Sequence, residues 1–412
     1  MENKKKIVIS GGGVLSNMGV GLEQFWNSLV NNEKGITIRE EWNMPEVGAQ
    51  YFGKCPDFNF KEHFENIRPP FPLKYSQMAM VGCNLAIKDA GLEVNDGNAE
   101  RLGLLIDTSF GASSAVQGFL VKLFEEGPGK VSPFNFTKTT VNCALGDVAR
   151  NFGLKGPSSM LMGENTVCYG FDLLQDGKAD VIICGGFDEI IDVPVIAHDK
   201  RNYLIPPVKN GVQVPFEENL SEERGKIVFG EASAFVVLET LEHAQARGAK
   251  IYAELVDYTV IGDTSYDDFL YQRSNEDLDY SMTSLLERTE IDKENVGLVV
   301  GGACLPWHIR DFEASVIKNI WKDSSVYYTT VKGKTGETFS SSPIISLLTG
   351  AMCLSENAVT GTGYSPEVLK GIAENIHIPE TTLHHDSQKP YALVNSLHKG
   401  GNTVSIMLKK AA

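Results

Sequence analysis

The chain has 412 residues, 42% hydrophobic and 22% charged, which is enough apolar material for a large packed core. Acidic residues outnumber basic ones 53 to 37, a formal net charge of −16. That balance argues against a nucleic-acid partner, because contact with a phosphate backbone needs a positive face. No apolar run approaches the roughly 20 residues that a membrane helix requires, and Ile7–Ser10 after the charged start is too short for a signal-peptide core. A cytoplasmic protein with no membrane contact is expected. Its seven cysteines, Cys55, Cys83, Cys143, Cys168, Cys184, Cys304 and Cys353, are scattered and form no CxxC pair, so neither a disulfide frame nor a metal site is expected.

In chain order, Ile7–Ser10 reads as a first buried strand. Gly11-Gly12-Gly13 follows it. The spacing is not GxGxxG, and no acidic residue follows at a second strand end, so a tight strand-to-helix turn is expected rather than a dinucleotide loop. Gln77–Asp89 places Met80, Cys83, Ala86 and Ile87 on one helical face, with Gly91 as a stop. Leu104–Asp107, Val181–Cys184, Ala234–Leu238, Gly297–Val300 and Thr403–Leu408 read as further buried strands. Asp311–Trp321 and Ser365–Ile376 read as helices, the second with Ser365 as cap and Pro366 at the first position. This alternation predicts a layered α/β fold. No Pro/Gly/Ser-rich linker divides the chain. Ile7-Val-Ile-Ser-Gly-Gly-Gly and Leu298-Val-Val-Gly-Gly-Ala echo one another, which favours a duplicated single assembly.

The most informative stretch is Gly156-Pro-Ser-Ser-Met-Leu-Met-Gly-Glu-Asn-Thr-Val-Cys-Tyr-Gly, ahead of Asp180-Val-Ile-Ile-Cys-Gly-Gly186. It resembles the active-site region of the β-ketoacyl synthases of fatty-acid and type II polyketide assembly. Other segments carry the likeness through the chain: Ser132-Pro-Phe, Phe152-Gly-Leu-Lys-Gly-Pro157, Pro215-Phe-Glu, Arg224 to Glu231, Glu239 to Leu255, and Asn395-Ser-Leu-His-Lys-Gly-Gly-Asn402. The resemblance implies a thiolase-like fold, pseudo-duplicated in five layers (α-β-α-β-α), with an N-terminal half over 1–250 and a C-terminal half over 251–412.

In that family the nucleophilic cysteine lies nine residues after the Gly of Gly-Pro, at a sharp turn opening a helix whose positive end favours thiolate. Two histidines support decarboxylation of the malonyl extender and stabilise the enolate. Here the ninth position is Asn165. The His-Gly-Thr block reads Gly301-Gly-Ala-Cys-Leu-Pro306, so Gly302 or Ala303 stands for the first histidine. In Lys332-Gly-Lys-Thr-Gly-Glu337 the lysine is retained and Glu337 stands for the second. An amide forms no thioester, and an ionised glutamate would repel an enolate.

This pattern resembles the chain length factors of type II polyketide synthases, in which Gln usually replaces the cysteine, often after Glu. Glu164-Asn165 is that pair one methylene shorter. The resemblance implies a non-catalytic subunit that forms a heterodimer with an active ketosynthase and shapes the tunnel in which the partner extends malonyl units on acyl carrier protein. The chain itself would hold no cofactor, since phosphopantetheine belongs to the carrier. A helix over Phe110–Phe124 is implicated in the tunnel. Ser113, Val116 and Leu120 share one face, with Phe119 and Phe134 as bulkier neighbours, and dimer packing is the alternative role for that face.

The enzymatic alternative is an active β-ketoacyl synthase using Cys168, three residues past Asn165, against which stands its reading as a buried core residue. A homodimeric acyl-binding protein is a third possibility. His308, beside Trp307, is a candidate replacement for the missing histidine or a structural residue. His384-His385 reads as a turn. His398 and Lys399 replace small and aromatic residues of the Gly-rich loop, which suggests a gate no longer needed or an entrance blocked.

Overall fold

The structure, a computed structural model, describes residues 4–38, 47–48, 51–64, 66–163, 165–205, 227–262, 274–304, 308–366, 369–384, 388–398 and 401–411. The apolar runs become ten main strands. These are β1 (Ile7–Ser16), β2 (Leu102–Asp107), β3 (Ser158–Leu161), β4 (Val181–Asp188), β5 (Ala232–Thr240), β6 (Ala253–Gly262), β7 (Val296–Val300), β8 (Val326–Thr329), β9 (Tyr391–Leu397) and β10 (Asn402–Lys410). They join one sheet in the order β3-β2-β4-β5-β1-β6-β10-β9-β7-β8.

The order contains a repeat. Numbered within each group of five, both groups run 3-2-4-5-1 and meet where β1 pairs antiparallel with β6. The senses match too. β2 is parallel to β3 and β4, as β7 is to β8 and β9. β5 is antiparallel to β4 and β1, as β10 is to β9 and β6.

Helices α1 (Lys74–Asp89), α2 (Ser113–Glu126), α3 (Cys143–Phe152), α4 (Thr166–Gln175), α5 (Asn275–Thr289), α6 (Ala314–Ile320) and α7 (Ser342–Glu356) fill the layers. One apolar cluster packs α1 and α3 on the first strand group. A second packs α5 and α6 on the other group. A central cluster packs α4 and α7 with both groups. Every residue of α7 from Ser342 to Leu354 is buried, as a helix covered on all sides requires. The result is the expected thiolase-like α-β-α-β-α arrangement. Among the described residues no helix is long and apolar enough to cross a membrane, and no group of His, Cys, Asp and Glu is placed to hold a metal ion.

Three sequence expectations are corrected. Gly11–Gly13 form no turn; they lie inside β1 and pair with β5. A Cβ at Gly13 would fall 2.4 Å from the Gly82 carbonyl and the Ala86 nitrogen of α1, and one at Gly12 would fall 2.6 Å from Leu348 of α7. Glycine is therefore required by helices pressing on both faces of the strand. Ser365–Ile376 is not a helix. Its described residues form turns that lead into a short strand at Ile376–His377, because Gly371 adopts φ 91°, in the left-handed region that breaks the helical ladder. Finally, the glycine echo links strands that are not equivalent, since β1 corresponds to β6, and β7 to β2. Asp311–Trp321 is helical, but it opens with a π turn over Ile309–Glu313 before α6.

Candidate active site

Asn165 caps α4. Its backbone is extended (φ −89°, ψ 106°), and its Oδ1 accepts the Val167 N–H at 3.0 Å, the standard use of asparagine at a helix start. The side chain is buried, and Nδ2 has no hydrogen-bond partner. The carbonyl of the amide that stands where a thiolate is expected is thus spent on holding the helix. Glu164 lies outside the described residues. Thr166 donates from Oγ1 to the Gly185 carbonyl at 3.4 Å, tying the helix start to the end of β4. Cys168 sits in the first turn of α4 and is buried in the central apolar cluster with Val167, Phe171 and Leu174.

Lys332 and Glu337 form a buried ion pair, Nζ to Oε2 at 2.7 Å, each side chain about 3% exposed or less. Burial opposes the Lys332 charge, but Glu337, Cys304 and Glu313 together outweigh it, and the ammonium titrates above its ordinary range. The other oxygen of Glu337 accepts the Phe339 N–H and the Ser342 hydroxyl, both at 2.8 Å. Glu337 is therefore fully engaged in fixing the turn between β8 and α7. Lys334, two residues on, is buried with its Nζ donating to the Leu29 carbonyl at 3.0 Å. Desolvation lowers its pKa to about 8.

Asp188, at the end of β4, ties this turn to the segment before α2. It accepts the Thr108 hydroxyl and the Ser109 and Phe110 N–H groups at 2.9 Å, and the Ser340 N–H at 3.0 Å. Burial pushes its carboxyl above the ordinary range despite these donors. Gly186 is glycine because a Cβ there would meet the Ser340 carbonyl at 2.0 Å. Phe339 is held at φ 51°, a left-handed conformation costing an aromatic residue about 1–3 kcal/mol. Its ring packs on Phe110 and Phe229, with centroids 4.7 and 4.6 Å away, and His198 stands edge-on to all three rings. The His198 Nδ1–H donates to the Pro194 carbonyl at 2.6 Å.

The loop expected to carry the first histidine is clasped by Glu313. Its two oxygens accept the Gly302 and Ala303 N–H groups at 3.1 Å, the Asn395 amide at 2.9 Å and the Tyr328 hydroxyl at 2.8 Å. A Cβ at Gly302 would lie 3.0 Å from the Asn395 carbonyl, a tight fit for any side chain, and Ala303 is buried without an imidazole. His308 is buried and stacks on Phe312 at 4.9 Å, in the outer core. His398 is buried in the turn joining β9 to β10, its N–H on the Asn402 carbonyl. His384 lies in a short exposed strand. Trp307, His385 and Lys399 lie outside the described residues, as do Pro215-Phe-Glu and the stretch 224–226.

Helix α2 buries none of its residues. Ser113, Val116 and Phe119 are half-covered, and Leu120 and Val121 are exposed; Phe124 is 81% exposed. The Ser113 hydroxyl donates to the Phe110 carbonyl. Phe119 packs on Phe136 at 5.6 Å, and exposed Phe134 lies under the Lys138 ammonium at 5.6 Å.

Sequence reasoning missed Asp188, Glu313 and the Phe110–His198–Phe229–Phe339 cluster. Asp188 had a signal, since it is an acid closing the apolar run Val181–Phe187; Glu313, in Arg310-Asp-Phe-Glu-Ala-Ser, had none. The cluster had none, because its members come from four separate segments.

Two stability measurements follow from the buried cations. Glu337→Ala leaves Lys332 buried without its counter-charge. It is expected to cost about 3–5 kcal/mol in urea unfolding, and the double change Lys332→Met with Glu337→Leu far less. For Lys334, the folded pKa near 8 lies below the unfolded 10.5. Folding therefore releases a proton between these values, and stability rises with pH across that window. Lys334→Met should stabilise the chain below pH 8, by on the order of 3 kcal/mol at most, with the gain vanishing above about pH 10.5. A flat difference from pH 7 to 11 would contradict this.

Comparison with known proteins places this geometry. Residues 4–244 match the family description "Beta-ketoacyl synthase, N-terminal domain". The 3-oxoacyl-[acyl-carrier-protein] synthase 2 of Staphylococcus aureus strain N315 is 28% identical over 426 aligned positions, spanning 100% of this chain and 99% of that protein. The Synechocystis enzyme of the same name is 29% identical over 63% of this chain and 64% of its own length. Among solved structures, the ishigamide ketosynthase/chain length factor superposes with a TM-score of 0.83 at 19% identity, covering 100% of both chains. A type II polyketide synthase acyl-carrier protein in complex with its ketosynthase gives the same score and identity over 99% of this chain and 100% of that one. At that identity the superpositions speak for the fold. The chain belongs to the β-ketoacyl synthase family.

Proposed function

We propose that this chain is a ketosynthase-fold subunit that has given up the covalent step. It would act as a chain length factor, pairing with an active ketosynthase that condenses malonyl units on acyl carrier protein and shaping the tunnel in which the product grows. The observation that carries this reading is the state of the three reacting positions. Asn165 caps a helix, Glu337 is locked to Lys332 and two further donors, and Ala303 has no proton-transfer group.

Support for a partner comes from the surface. Among the described residues β3 is the last strand at its end of the sheet, and an uncovered strand edge is a template for another chain. Leu120, Val121, Phe124, Phe134, Phe136 and Met162 also stand exposed, large apolar side chains that a partner would cover. Carrier protein would dock on the joint surface of the pair.

The second reading, an active β-ketoacyl-acyl-carrier-protein synthase using Cys168, is favoured by the names of the relatives in sequence, which support it better than they support a length factor. The packing of Cys168 within the central core weighs against it, since a nucleophile must meet its substrate.

Intact-mass analysis of the full chain after incubation with malonyl- or acyl-loaded carrier protein separates the two. No adduct is expected, and Cys168→Ala should leave the product yield of the paired complex unchanged. An adduct lost in Cys168→Ala would establish the synthase. For the length-setting role, Val116→Phe should shorten the product of the assembled pair, read by mass spectrometry. An unchanged product spectrum with assembly intact would remove α2 from that role.

A further inference from the structure

We propose that Phe339, Phe229, Phe110 and His198 form a built-in plug that fills the space beside the former nucleophile position, so that this chain admits no acyl chain of its own. The inference deepens the proposed function and rests on it, since the plug explains where the growing chain goes once the covalent step is lost.

The plug and the Asn165 cap at the start of α4 flank the same few residues of β4. Thr166, next to Asn165, is tied to Gly185, Gly186 abuts Ser340 backbone to backbone, and Asp188 binds both Ser340 and Phe110. An acyl group presented at position 165 would need apolar room here. Instead three phenyl rings meet with centroids 4.6–5.5 Å apart, and the His198 ring closes the cluster 5.4–5.9 Å from each. Separate devices hold these rings in place. Glu337 accepts the Phe339 N–H and pairs through its backbone with Val228 and Gly230, on either side of Phe229. The Phe110 N–H is bound by Asp188, and His198 is fixed through Nδ1 to its own helix. The left-handed backbone of Phe339 is a strained arrangement that the surroundings must maintain. A bulky ring kept in a conformation suited to glycine points to a side chain with a purpose.

The test is a titration of the full-length chain with cis-parinaric acid, a fluorescent fatty acid. The wild-type protein is expected to show only the weak, non-saturating adsorption of its exposed apolar face, which is common to all variants. Phe339→Gly removes the ring while suiting the φ of 51°, so the fold is kept. It and Phe229→Ala should each gain one saturable site at least ten-fold tighter than anything on the wild type. Circular dichroism and cooperative urea unfolding verify that the variants are folded. Saturable binding to the wild type would overturn the plug whatever the variants do, as would folded variants that gain no site. The wild-type intact mass keeps the two ideas apart: a covalent adduct sinks the proposed function, whereas tight binding with unchanged mass sinks the plug alone.

Discussion

The buried contact between Lys332 and Glu337 sets the character of this site. A carboxylate stands where the family resemblance expects an imidazole, and it is engaged on both oxygens by an ammonium, a backbone N–H and a hydroxyl. Such pairs add little net stability compared with apolar packing, but each partner becomes indispensable to the other. The lysine is thereby kept charged in the interior, the turn before α7 is held, and Phe339 is forced into its left-handed backbone. The carboxylate that stands in the place of the imidazole is a strut for the turn.

Glu313 and Asp188 do comparable work on either side. Each is a buried carboxylate that gathers N–H groups from a loop with no regular ladder of its own. Buried backbone donors must find acceptors, and these two acids supply them.

Much of this was legible in the chain. Every strand expected from an apolar run is present, because a strand covered on both faces needs continuous apolar residues. Counting nine from Gly156 lands on Asn165, the residue that caps α4, since a cap is a local matter. Gly11–Gly13 reads as a turn because the helices that crowd it come from residues 74–89 and 342–356. The 365–376 helix fails at Gly371, whose φ of 91° breaks the helical ladder. The aromatic cluster was invisible, as its rings are neighbours only after folding. Helix α2 carries apolar residues that the resemblance assigns to a tunnel wall, with dimer packing as the alternative, and here they stand half-covered or exposed. Folded-state stability is therefore linked to whatever covers them, by mass action.

The position of β1 has a consequence for how the molecule is made. This strand sits at the middle of the sheet between β5 and β6, with Ile9 opposite Leu238 and Ala253, so more than 200 residues of chain separate it from either partner. Until those partners are synthesised the strand waits unpaired, and closing so long a loop makes the step slow. A strand destined for the interior and left unpaired for that long is open to aggregation during translation.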